Sequence, residues 1–320
     1  MRPAACVPFV RRSAALACTV ALATGCADEP TRPAEPGSMA PLLARAGEHA
    51  GPPLSVAFYS NRDGNAEIYR MDPDGSSQTR ITFHAASDIE PDLSPNGKQV
   101  VFTSTRSGNA DIWMLDLRTG ALVNLTNTTA AEGWPRWSPN GKQIAFHSNR
   151  DGNFEIYVVN ADGTGSRRVT TYSGVDMWPE WSPNGKQLAV RRDMDVYVLD
   201  LRSGTAIQLT THPALDQMAA WSPNGQQLAF MSLREGYCSV FLMNADGSGQ
   251  VNLTPKDPAD PASAWCSRTP SWSTNGRRIL FMSIRPGTGG TAEIFSMAAD
   301  GSDLTRLTFA PGDDGTPTAR

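Results

Sequence analysis

From residue 54 onward, short apolar runs recur at a steady interval, each stopped by turn chemistry. Gln-Val-Val-Phe-Thr (99–103), Gln-Ile-Ala-Phe-His (143–147) and Gln-Leu-Ala-Phe-Met (227–231) are rich in β-branched, aliphatic and aromatic residues. Runs this short, bounded by Gly, Pro and Asn, predict strands rather than helices. Ser-Pro-Asn-Gly precedes them, starting at Ser94, Ser138, Ser182 and Ser222, with Ser-Thr-Asn-Gly at Ser273. Asn-Gly suits the positive φ of a tight hairpin turn. The aromatic or aliphatic residue near the end of each run falls at Phe58, Phe102, Phe146, Val190, Phe230 and Phe281, spaced by 44, 44, 44, 40 and 51. A period near 44 residues predicts a propeller blade of four short strands, repeated six times.

The third unit shows the strands in order. Residues 135–138 form an inner strand, 142–148 the second, 154–159 the third and 167–170 the outer one, with turns at 139–141, 149–153 and 160–163. The first unit begins at its second strand, 54–60. After the sixth outer strand, Pro317-Thr318-Ala319-Arg320 stands where Pro135-Arg136-Trp137-Ser138 stands in the third unit. The fold class expected is therefore all-β: a six-bladed propeller whose C-terminal segment supplies the inner strand of the first blade. That arrangement would close the ring and hide its edges.

Composition agrees. The 320 residues include 28 Gly and 24 Pro, which leaves little room for long helices. With 28 Lys plus Arg against 32 Asp plus Glu, the net charge of −4 excludes the basic face of a nucleic-acid-binding protein. Before the blades, Arg2, Arg11 and Arg12 precede an apolar run, Ser13–Gly25, with the length of an export signal. The run ends Ala23-Thr24-Gly25-Cys26, which resembles the bacterial lipobox. That resemblance implies lipidation of Cys26; cleavage near Ala23 or Ala27 would instead leave a soluble protein. Residues 1–25 are thus expected to be a leader, 26–53 a Pro-rich tether and 54–320 the propeller.

The units SNRDGNAEIYRMDPDG (60–75) and SNRDGNFEIYVVNADG (148–163), with the PxWSPNG-like anchors, resemble the TolB-type, WD40-like β-propeller repeat. The resemblance spans the region from 54 to 320. It implies a periplasmic or outward-facing envelope protein without the α/β domain that precedes the propeller in TolB proper. Many activities share this repeat, so it implies fold more than function.

Within the repeat, Trp137, Trp181, Trp221, Trp272 and Leu93 share one position and are expected to pack between blades. An Arg closes strand two in five units (Arg62, Arg106, Arg150, Arg234, Arg285) and an acid opens strand three in five (Glu67, Asp111, Glu155, Asp195, Glu293), predicting ion pairs across the hairpin. Three residues before the inner-strand Pro stand Asp88, Glu132, Asp176, Asp216, Ser267 and Asp314. The five acids read either as turn caps or as an anionic collar at one channel mouth, for a hard cation such as Ca²⁺ or a basic partner segment. Trp134, Trp178 and Met218 precede the Pro (Ala219 in the fifth unit) on three neighbouring blades and offer a binding patch for a peptide or glycan. Cys238 and Cys266 are the two thiols left once the leader and Cys26 are set aside. In an oxidising compartment they are expected to form a disulfide.

Only four histidines occur, His49, His84, His147 and His212, and no G-x-S-x-G, H-E-x-x-H or P-loop pattern is found. The expectation is a monomeric, non-catalytic binding or scaffold protein, anchored through its N-terminal lipid, with an envelope protein, peptide or glycan as partner and no cofactor beyond Ca²⁺. The alternative is a propeller-based carbohydrate lyase or hydrolase.

Overall fold

The computed structural model describes residues 55–256 and 265–320. The leader, Cys26 and the tether lie outside them. Among the described residues, six four-stranded antiparallel sheets follow one another around an axis. In blades 2 to 6 the chain runs from the inner strand outward. The inner strands are Asp88–Leu93, Glu132–Trp137, Asp176–Trp181, Asp216–Trp221 and Cys266–Trp272.

Blade 1 is assembled from both ends of the propeller. Asp314–Ala319 is its inner strand and pairs antiparallel with Val56–Ser60. Val56 opposes Ala319 and Ser60 opposes Asp314. Ser55 N–H donates to the Arg320 carbonyl at 2.8 Å, extending the ladder by one residue. The nine-residue step from Thr308 to Pro317, the same as from Thr126 to Pro135, therefore leads to the closure expected from the sequence.

Core side chains lie between blades. Trp137 packs on Val101 and Ile112 of the preceding blade, and Trp181 on Ala145, Ile156 and Val158. Leu93, Trp221 and Trp272 do the same at their own interfaces. Phe58, Phe102, Phe146, Phe230 and Phe281 are fully buried. Each such side chain contributes about 1.5–3 kcal/mol by leaving water.

Every inner strand carries one bulge at the same place. Glu90, Trp134, Trp178, Met218, Thr269 and Thr316 all have φ between 45° and 57°. The ladder to the second strand shifts register there. A bulge leaves its residues outside the ladder. That permits the Pro which follows in five blades, since Pro has no N–H to donate.

Candidate functional site

The five inner-strand acids do not form a collar. Asp88, Glu132, Asp176, Asp216 and Asp314 are all buried. Each meets an arginine of its own blade: Asp88 with Arg106, Glu132 with Arg150, Asp176 with Arg192, Asp216 with Arg234 and Asp314 with Arg62. In blade 4 the fork is bidentate, with Arg192 Nε and Nη2 donating to the two Asp176 oxygens at 2.9 and 2.8 Å. The physical reason is geometric. The acid and the strand-two terminus are direct neighbours across the first hairpin, so the guanidinium neutralises a carboxylate that burial would otherwise make costly. Burial still pushes the Asp88 carboxyl up, against the pull of Arg106. Among the described residues, no group of three or more His, Cys, Asp or Glu could hold a metal ion. The Ca²⁺ pool read from the sequence is therefore not assembled here.

The hairpin pairing expected between strand-two arginines and strand-three acids is also corrected. Those acids turn to the outer strand instead. Glu67 accepts from Arg80 at 2.7 Å and Thr82 Oγ1 at 2.6 Å, and Glu293 accepts from Arg306 and Thr308, both at 2.7 Å. The arginines stack on aromatic rings of strands two and three; Arg62 lies 4.7 Å from the Tyr69 ring centre and Arg234 4.6 Å from that of Phe241. Arg192 escaped the sequence reading. Blade 4 has a shorter second hairpin, and its arginine stands at the strand position that is Ser in the five other blades. The signal was present as Arg191-Arg192 opposite Asp176.

Trp134, Trp178 and Met218 occupy the bulge of the inner strands, so they belong to the channel wall and not to an exposed rim. Trp134 is buried, and its ring meets Trp178 edge-on with centroids 6.2 Å apart. Arg136 stacks on Trp134 at 4.7 Å and Arg191 on Trp178 at 4.8 Å. Glu90, at the same bulge one blade earlier, accepts from Trp134 N–H at 2.8 Å and Thr103 Oγ1 at 2.7 Å. His147, which the repeat did not single out, is buried in this wall opposite Gly133. Burial first, and Arg191 second, push its pKa down to about 3. His84 and His212 are exposed, and each accepts at Nδ1 from the amide two residues on, at 3.0 and 3.1 Å. They cap separate loops and do not meet as one site.

A cavity of about 290 Å³ opens where the Ser-Pro-Asn-Gly turns converge on the channel. Its charged half carries Arg136–Glu180, at 2.9 Å, and Arg320–Asp92, at 3.3 Å. Asp92 also accepts from Trp137 N–H at 2.7 Å. Burial pushes Glu180 up, opposed by Arg136 and Arg320. The uncharged half is Ala220, Trp221, Ser271 and Trp272. Two indoles along the wall are satisfied: Trp181 Nε1 donates to the Arg136 carbonyl and Trp272 Nε1 to the Ala220 carbonyl, both at 3.1 Å. Trp137 Nε1 and Trp221 Nε1 are buried without an acceptor among the described residues.

The family model of the TolB β-propeller domain matches residues 50–126, 109–194 and 172–269, together more than half of the chain. The chain belongs to the TolB β-propeller family. A curated relative, the Tol-Pal system protein TolB of Syntrophotalea carbinolica, is 44% identical over 46 residues, which cover 14% of this chain and 11% of that protein. The match thus spans about a tenth of that relative's length. TolB from Acinetobacter baumannii superposes with a TM-score of 0.71 at 22% identity, covering 88% of this chain and 70% of that one. An oligogalacturonate lyase in complex with manganese gives a TM-score of 0.53 at 15% identity, covering 80% and 73%. At these identities the likeness is one of fold.

Two features distinguish the fifth and sixth blades of this TolB-type propeller. Cys238 and Cys266 form a disulfide with Cα atoms 4.4 Å apart, joining the start of a blade 5 strand to the inner strand of blade 6. In blade 6, Ser267 replaces the buried acid, so Arg285 has no carboxylate partner among the described residues.

Proposed function

We propose that this protein is a non-catalytic binding module of the cell envelope, held by a lipid on Cys26, that receives a segment of a partner protein at the turn-side mouth of its channel. The observation that carries the reading is the cavity there. It brings together the edges of four blade tryptophans and the ion pairs Arg136–Glu180 and Arg320–Asp92, each with at least one buried partner. Aromatic and Arg side chains around a partly desolvated centre are the composition of protein-binding hot spots. Family membership supports the reading, since the curated relative belongs by name to the Tol-Pal system. The sugar-lyase reading has no such support: His84 and His212 cap separate loops.

Ser271→Arg tests this. Ser271 holds the inner-strand position that is Arg136 in blade 3 and Glu180 in blade 4, so a long side chain there enters the mouth. Envelope proteins retained by the wild-type propeller should fall at least about tenfold with Ser271→Arg. They should be retained with Glu235→Arg, on the opposite face. Equal retention by all three forms would overturn the proposal.

A further inference from the structure

Blade 6 breaks the electrostatic rule of the other five. In those, a buried inner-strand carboxylate takes the strand-two arginine. In blade 6 the residue opposite Ser283 is Ser267, 1% exposed, and the two hydroxyl oxygens are 2.9 Å apart. Arg285 still occupies its usual place, stacked on Phe281 and Phe295 at 5.4 and 5.3 Å and on Trp265 at 5.0 Å. Its Nε donates to Ser283 Oγ at 3.0 Å and its Nη2 to Ser267 Oγ at 3.3 Å. Among the described residues Nη1 has no acceptor, whereas Arg62 and Arg234 give theirs to Gln78 and Gln250, both at 2.7 Å. Two hydroxyls carry no charge, so among the described residues the half-buried guanidinium has no counter-ion. Burial alone pushes it down to about 10, which leaves it charged at neutral pH.

We propose that Arg285, framed by Ser267, Ser283 and the Trp265 ring, is a binding site for a ligand carboxylate on the loop face of blade 6. The ligand supplies the negative charge that the protein's own acid supplies in the other blades. Three features fit that chemistry. A guanidinium presents parallel N–H donors matched to a carboxylate. The aromatic walls lower the local dielectric and strengthen the pairing. The Cys238–Cys266 bridge fixes the residue next to Ser267, so the site is held in shape before the ligand arrives. The carboxylate could belong to a free organic acid or to an acidic side chain of a polypeptide, and the experiment separates these. The site lies on the face opposite the channel-mouth cavity and does not depend on that reading.

The guanidinium Nε–H signal of Arg285, assigned by its loss in Arg285→Lys, would be followed by NMR in the full chain. The probes are sodium acetate, N-acetyl-aspartate amide and a short Asp-Gly peptide, with sodium chloride at matched ionic strength as control. The proposal expects a saturable shift with the carboxylates only. It expects that shift to vanish in Ser267→Asp, which restores the acid of the other blades. Ser267→Asp should also raise the melting temperature by about 2–4 °C. An affinity for the peptide at least about tenfold above acetate would assign a polypeptide source, and equal affinity a free acid. Chloride acting as well as acetate, or a shift that persists in Ser267→Asp, would overturn the proposal. So would binding that appears only after Asp257→Asn and Asp260→Asn, since an acid of the chain would then be the occupant.

Discussion

Gly315 faces the ring of Tyr59 across the ladder that closes the propeller, and a Cβ on Gly315 would stand 2.5 Å from that ring. Two blades on, Gly133 faces His147 in the same register, with a Cβ landing 2.9 Å from Nε2. Where the second strand sends a large ring toward the channel, the inner strand has given up its side chain. Gly315→Ala is therefore expected to cost about 1–3 kcal/mol through overpacking. Gly133→Ala should cost less, because an imidazole tip moves more easily than a phenol ring wedged at the closure. Thermal melts of the two variants check the order.

The ion pairs within blades are expected to behave as buried pairs. Asp176→Asn strands Arg192 and should destabilise by about 3–5 kcal/mol, whereas Asp176→Ser with Arg192→Met should recover much of that loss. Chemical denaturation of both variants reads the difference. Equal stability of wild type and Asp176→Asn would mean that the pair contributes nothing.

Much of this architecture was legible from the chain. The 44-residue period, the Asn-Gly turns and the step to Pro317 depend only on local chemistry and counting, so blades and closure could be read directly. The pairing of charges could not. Each arginine had two candidate acids, and only the register of three strands shows that Asp314, 252 positions away, takes Arg62 and the nearby Glu67 does not. The channel lining stayed hidden for a related reason. His147 and Gly133 lie in different strands, and neither is unusual alone. Ser267 was visible as an exception, but its meaning depended on knowing what its five counterparts bind.

His147 makes stability depend on acid in a defined sense. Its folded pKa, about 3, lies below the ordinary 6.5, so the unfolded chain binds the proton first. Stability attributable to this group is complete above about pH 6.5 and falls as the pH drops toward 3, by up to about 1.4 kcal/mol per pH unit. Glu90 and Glu180 are shifted upward, mainly by burial, and act in the opposite sense, losing stability as the pH rises through their own range. Comparing wild type with His147→Gln between pH 7 and 4 isolates the histidine: the variant should lose less stability on acidification.

The Cys238–Cys266 bridge spans 28 positions, and the chain-entropy model gives it about 3–4 kcal/mol. Cys238→Ser, or reduction of the native form, should lower the melting temperature accordingly. Mass spectrometry of the native protein before reduction should find neither thiol free.

The central claim, that a partner protein enters the turn-side mouth, is tested most directly by a photo-crosslinking residue at Thr274. This exposed position borders the cavity. With the same probe at Glu235 on the loop face as reference, the account expects a discrete envelope-protein adduct from Thr274 in intact cells, absent from Glu235 and lost when Ser271→Arg is added. No adduct at Thr274, or the same adducts from both positions, would contradict it.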